Sequence, residues 1–283
     1  MRIGISVASC FGDSFYEKLR SFGFDCLDFG MSDTECALYR YSDEEFGAAL
    51  KRERASAEAA GISIHQVHGP WRYPPRDETE ADRRERMEKM KRSIRGAALL
   101  GAKYWIVHPL MPFGVKDIPL GKEADTRALN LSFMRELLVT AREEGVTVCL
   151  ENMPFVDFSL SSPAAIAELV HEIDDPFLAM CLDTGHANVH PDWHTPAATV
   201  RAFGDIVKAL HVHDNQGRRD EHLTPFGGTI DWKDFSAALR EVSFDGVLSL
   251  ECAPNLGLPA DILEDMFVLY FRIARAVEDA FLT

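Results

Sequence analysis

No apolar run in this chain of 283 residues approaches the roughly 20 needed to cross a bilayer. Its six cysteines include no C-x-x-C pair, which argues against a zinc knuckle or a dithiol redox motif. Basic residues are in short supply: 30 Lys and Arg stand against 45 Asp and Glu, for a net charge of −15. Gripping DNA or RNA takes a basic stripe, so this balance argues against nucleic acid as the main partner. No G-x-G-x-x-G follows the first strand-like run, so the dinucleotide-binding fingerprint is missing. No low-complexity tract or linker interrupts the chain, which reads as one domain over residues 1–283. Residues 1–7 pass straight into a strand-like run without a signal-peptide layout. The expectation is a cytoplasmic protein with buried, reduced thiols and no membrane contact.

What the chain does have is alternation. Short runs rich in Ile, Val, Leu and Cys fall at 2–7, 25–29, 63–67, 104–108, 147–151, 178–183, 209–213 and 247–251. Several are continuously apolar, as strands buried on both faces should be. Helical patterns lie between them at 43–60, 80–100, 123–144, 163–173, 196–203, 232–242 and 259–280. Alternating strands and helices imply a parallel sheet with right-handed crossovers. Eight such units in this length predict a closed (β/α)8 barrel, with an open doubly wound sheet as the alternative. The longest irregular stretches, 69–79, 110–122, 186–195 and 214–231, each follow a strand and so belong at the barrel mouth.

His68, His108, Glu151, Asp183, His211 and Glu251 each come at or just past the end of one of these runs. Side chains so placed meet only if the strands are parallel and curl together. Glu151 and Glu251 close apolar strands, where an unpaired carboxylate costs several kcal/mol and so needs a cation, a partner or a proton. A salt-bridged barrel-end carboxylate is the bland alternative for each. Asp183 and His186 form an Asp-Thr-Gly-His unit whose glycine permits a tight turn, so both side chains can face one centre; the alternative is a capped turn with an incidental histidine. His211 and His213 share a strand face. Asp220 and His222 form an Asp-x-His pair that could bite one metal or simply be a solvated turn. Arg218 and Arg219 could hold a substrate phosphate or hydroxyl, or face water. Oxygen and imidazole ligands together suit Mn, Zn, Fe or Co better than Ca. Cys149 and Cys181 sit two residues before Glu151 and Asp183, on the face that would line the barrel interior.

These motifs together resemble the xylose isomerase-like TIM-barrel superfamily, which includes sugar isomerases and epimerases, inosose dehydratases and the endonuclease IV type of apurinic nuclease. The matching stretches are His68-Gly-Pro, Val107-His108-Pro, Leu150-Glu151-Asn152, Leu182-Asp183-Thr-Gly-His186, His211-Val-His-Asp214, Asp220-Glu-His222, Gly227-Gly228-Thr-Ile-Asp231-Trp232 and Leu250-Glu251. In the epimerase-like branch, the resemblance implies one divalent metal (Mn, Zn, Co or Mg) held by Glu151, Asp183, His211 and Glu251. It also implies proton transfer by the two glutamates to and from an enediolate. His186, Arg218, Trp71, His68 and His108 would meet the substrate, with Phe155 and Trp193 as further walls. The endonuclease IV branch implies a multi-zinc phosphodiesterase in which His68, His108, His186, Asp220 and His222 add to the ligand set. The acidic chain favours the first branch: a metal-dependent isomerase or epimerase of a sugar, sugar phosphate or polyol. An inosose dehydratase-like lyase lies close to it. A barrel that binds a carbohydrate without catalysis would have lost ligand positions, and here each is filled. Barrels of this kind often pair, so a homo-oligomer is possible, though nothing in the sequence marks an interface.

Overall fold

The structure is a computed structural model that describes residues 1–7, 10, 12–252, 254 and 256–280. Its strands are β1 (Arg2–Ser6), β2 (Cys26–Gly30), β3 (Ser63–His68), β4 (Tyr104–Val107), β5 (Pro112–Val115), β6 (Thr147–Glu151), β7 (Leu178–Asp183), β8 (Val207–His211) and β9 (Val247–Leu250). All but β5 form one parallel sheet in the order β8-β7-β6-β4-β3-β2-β1-β9. The two ends meet through Val212, whose amide donates to the Ser249 carbonyl (2.8 Å) and whose carbonyl accepts from the Glu251 amide (3.0 Å). That contact makes the sheet a (β/α)8 TIM barrel. It also explains why β8 ends at His211 rather than at the expected residue 213: Val212 leaves the ladder with β7 to pair with β9.

The helices are α1 (Phe15–Phe22), α2 (Asp43–Ala59), α3 (Glu80–Leu100), α4 (Glu123–Glu144), α5 (Pro163–Ile173), α6 (Thr184–Ala187), α7 (Pro196–Phe203), α8 (Trp232–Glu241) and α9 (Ala260–Asp279). Their starts have local causes. Ser42 and Glu45 form a capping box on α2, Thr79 and Asp82 another on α3, and Ser162, Thr195 and Asp231 cap α5, α7 and α8. Helix α1 was not anticipated. It is short, yet it buries Phe15, Tyr16, Leu19 and Phe22 on one helical face. The one-turn α6 and the short strand β5 are also additions to the expected pattern. No helix among the described residues is long and apolar enough to cross a membrane.

The period-two alternation of the strands divides the core. Trp105, Val107, Val148, Leu150, Leu182, Leu210 and Leu248 face outward and pack with the helices in the main core. Inside the barrel, Tyr104, Ile106, Cys149, Ala179, Cys181 and Ala209 form a separate small cluster. Cys149 and Cys181 thus line the interior as expected, buried and unpaired. The same alternation carried one step further toward the C-terminal mouth delivers Ile106→His108, Cys149→Glu151, Cys181→Asp183 and Ala209→His211. Register then sets neighbours: Asp183 pairs with His211, and Glu151 lies one step along, opposite Cys181.

Candidate active site

Glu151 is the hub of the mouth. Its Oε1 lies 3.0 Å from His211 Nδ1 and 3.6 Å from His186 Nδ1; its Oε2 lies 3.1 Å from His108 Nε2 and 3.6 Å from His68 Nε2. Glu251 Oε2 is 3.3 Å from the same His211 nitrogen. Glu151, Asp183, His211 and Glu251 can each offer a ligand atom with all four within 4.8 Å of one another. A second group, His186, His213, Asp220 and His222, meets the same limit, as do His68, Glu151 and His211. The residues singled out at the strand ends, together with the Asp220–His222 pair from the loop, therefore converge.

Hydrogen bonds aim the imidazoles. A carbonyl oxygen can only accept, so a ring nitrogen facing one must carry its proton. His68 Nδ1 donates to the Gly69 carbonyl (2.9 Å), His186 Nδ1 to the Asn152 carbonyl (2.8 Å), and His222 Nδ1 to the Glu251 carbonyl (2.7 Å). Each leaves Nε2 turned into the site, and those of His186 and His222 converge on Asp220 Oδ2 at 3.3 and 3.2 Å. Asp183 has two roles: its Oδ1 caps the α6 turn by accepting the His186 amide (2.6 Å), while a carboxylate oxygen stands 2.9 Å from His213 Nε2. The Asp-Thr-Gly-His unit is thus both a capped turn and part of the centre.

The electrostatics are those of packed carboxylates and imidazoles. Burial alone would raise the Glu151 carboxyl, but His211 and His108 hold it well below the usual range. Burial, with Glu151 and Asp183 nearby, pushes Glu251 up despite His211. Burial works against protonated His186 and His222, but the acids around them win. Asp183, Asp220 and Glu151 lift His186 to about 10, and Asp220 and Glu251 lift His222 to about 9. His108 goes the other way, pushed down to about 4 by burial that Glu151 only partly offsets. Glu151 Oε2 is buried and, although His108 Nε2 stands 3.1 Å away, it accepts no well-aligned hydrogen bond among the described residues. An orphaned anionic oxygen beside a mixed oxygen and imidazole donor set is what a divalent cation such as Mn, Co or Zn fits.

Above this floor opens a cavity of about 360 Å³. Trp71, Tyr73 and Phe155 wall one side, with Tyr73 and Phe155 stacked at 6.1 Å between ring centroids. It shares Ser6, Gly30, Ser32, His222 and Glu251 with an adjoining cavity of about 700 Å³. Neither is lined by Lys or Arg among the described residues. Arg218, expected at the substrate, is exposed on the 214–231 loop and does not line the cavity. Trp193, expected as a wall, lies beside His190 instead, at 5.5 Å between ring centroids.

Several contributors carry little signal in the sequence. Asp28, from β2, accepts from His211 Nε2 (2.9 Å) and from Gln66 Nε2 (2.9 Å). Asn152 clamps the backbone of Asp183 from both sides, donating to its carbonyl (3.0 Å) and accepting from its amide (2.9 Å). His213, on the same strand face as His211, joins the second ligand group, a place the family resemblance does not imply. A lone acid in the apolar run Cys26-Leu27-Asp28-Phe29 was the available signal for Asp28.

A family model described as xylose isomerase-like TIM barrel matches residues 16–269. The chain belongs to that family. It is 30% identical over 190 residues to the uncharacterised protein MJ1311 of Methanocaldococcus jannaschii, a match covering 65% of this chain and 63% of that protein. It is 24% identical over 255 residues to a D-psicose 3-epimerase of Ruminiclostridium cellulolyticum, covering 86% of this chain and 78% of the relative. Among solved structures, the IOLI protein with a bound zinc atom superposes with a TM-score of 0.78 at 17% identity, covering 99% of both chains. That likeness shows the shared barrel. The D-psicose 3-epimerase relatives support an enzyme of the isomerase or epimerase class.

Proposed function

We propose that this chain is a divalent-cation-dependent epimerase or isomerase acting on a sugar or related polyol. The observation that carries the reading is that Glu151 and Glu251 both lie within 3.3 Å of one His211 nitrogen, with Asp183 completing the quartet, on the floor of an aromatic-walled cavity. The D-psicose 3-epimerase relatives support it.

Glu151, Asp183, His211 and Glu251 would hold the cation. Bound there, it supplies Lewis-acid polarisation of a carbonyl and its neighbouring hydroxyl. The rest falls to the chain's own groups. Of Glu151 and Glu251, one removes the proton from the hydroxyl-bearing carbon next to the carbonyl, and the other delivers a proton to the opposite face of that carbon. His186, its Nε2 turned into the site, holds a substrate oxygen. Trp71, Tyr73 and Phe155 cover the apolar face of the sugar and exclude water. With no Lys or Arg on the cavity wall among the described residues and several carboxylates on its floor, a sugar without phosphate fits better than a phosphorylated one.

The test is exchange of solvent deuterium into a panel of ketoses by the cation-loaded protein. Exchange with at least one, abolished in Glu151→Gln and in Glu251→Gln, is the expected result. Retained exchange in either variant removes that residue from the proton-transfer pair.

A second reading is a multi-metal phosphodiesterase. The specific observation in its favour is the second ligand group, His186, His213, Asp220 and His222. Two or three zinc ions per chain in protein purified without added metal, with cleavage of an abasic-site duplex and no exchange into ketoses, would establish it over the first. About one ion per chain supports the epimerase.

A further inference from the structure

The histidines at the mouth are not held alike. His68, His186 and His222 each give Nδ1–H to a backbone carbonyl and turn Nε2 inward. His211 is reversed. Its Nδ1 faces Glu151 and Glu251, and its Nε2 lies 2.9 Å from Asp28 Oδ2, a carboxylate only 1% exposed. Exchanging ring carbons for nitrogens by a ring flip would remove both contacts, so the orientation is determined by the partners. Asp28 is itself held: Gln66 donates to the same Oδ2 at 2.9 Å and also reaches the Leu210 carbonyl at 3.3 Å, one residue before His211. Asp28 comes from β2 and His211 from β8, so the contact spans the barrel interior.

We propose that Asp28 is the positioning residue for His211: it keeps the proton on Nε2 and presents Nδ1 as the ligand atom of the quartet. Such carboxylate–imidazole pairs raise the basicity of the ligating nitrogen and lock the ring. An anion in this role distinguishes His211 from the three carbonyl-held histidines, and it places the strongest orienting group behind the one imidazole that belongs to the quartet of Glu151, Asp183 and Glu251. Asp28 itself does not line the substrate cavity.

The inference rests on the cation proposed above, so its readouts are metal binding and tautomer rather than turnover. Manganese affinity is measured by calorimetry on the stripped full chain, for the wild type, Asp28→Asn and Cys149→Ala. The last removes a buried interior side chain at a similar depth, outside the hydrogen-bonded network. Asp28→Asn is expected to bind manganese roughly 10- to 100-fold more weakly, with an altered visible spectrum of the cobalt form. Cys149→Ala should lose stability but keep wild-type affinity. Nitrogen-15 spectra of the zinc-loaded wild type supply a measurement that does not depend on any variant folding, and should show His211 protonated at Nε2. Equal manganese affinity in folded Asp28→Asn, or a His211 proton on Nδ1 in the zinc form, overturns this proposal alone. Failure of the wild type to bind any divalent cation overturns both it and the function proposed above.

Discussion

Gly185 tests how tightly the site is assembled. A β-carbon at this position would stand 2.0 Å from Cε1 and 2.3 Å from Nδ1 of His213. Carbon atoms in contact sit about 3.5–4.0 Å apart, so in Gly185→Ala the ring must move by more than about 1 Å. It has little room. His213 is fully buried, stacked on His222 at 4.1 Å between centroids, and bonded through Nε2 to Asp183 at 2.9 Å. Overpacking costs about 1–3 kcal/mol, and loss of a hydrogen bond to a charged group about 1.5–3 kcal/mol. The expected destabilisation is therefore about 3 kcal/mol or more, equivalent to a fall of roughly 6 °C in Tm for a chain of this size. Urea unfolding of the cation-free protein reads it, with Gly47→Ala as the control. Gly47 lies inside α2 with nothing within 4 Å of its would-be β-carbon, so alanine there should be neutral or stabilising by up to about 1 kcal/mol. If Gly185→Ala unfolds within about 0.5 kcal/mol of the wild type, the close packing of α6 against His213 is not what this geometry says.

Three other perturbations have defined outcomes. Asp77 pairs with buried Arg86 and accepts from the Met111 amide (2.9 Å), while Arg86 donates to the His108 carbonyl (2.9 Å). Asp77→Asn leaves a buried guanidinium uncompensated, and should cost about 3–5 kcal/mol in urea unfolding and open the 69–79 and 110–122 loops to protease. His65 is pushed down to about 4 by burial, with Arg2 beside it. Its folded pKa lies below the unfolded value of about 6.5, so the unfolded chain takes up the proton first and stability falls as pH drops from about 6.5 toward 4. His65→Gln should therefore remove about 2 kcal/mol of the stability difference between pH 7 and pH 5, measured as the difference between wild-type and variant unfolding curves; parallel curves would show that the ring is not held neutral. If the sugar stacks on the aromatic wall, Trp71→Ala should raise KM in the exchange assay more than it lowers kcat, by roughly tenfold for a stacking contact of about 1.4 kcal/mol; a pure kcat loss would put Trp71 outside substrate contact.

The fold was legible because its signal is local. Helices α3, α4, α5 and α7 and strands β6 and β7 run between the residues that the apolar period and the capping residues indicate. The strand-end series was legible for the same reason: the alternation that buries Cys149 and Cys181 inside the barrel carries Glu151 and Asp183 to its mouth. The short helix α1 escaped because eight residues give barely two turns of period. Arg218 and Trp193 lie on long loops, where neither period nor register says which way a side chain turns, and both stand away from the cavity.

The sequence alone determined that parallel strands would bring these acids and histidines to one end, because a strand's two-residue repeat is set by its own backbone. How they are held is a property of the closed barrel. Asp28 meets His211 across 183 positions of chain, Asn152 clamps Asp183, and three backbone carbonyls choose the proton-bearing nitrogen of three histidines. Those contacts depend on barrel closure and strand register, which no stretch of sequence carries by itself.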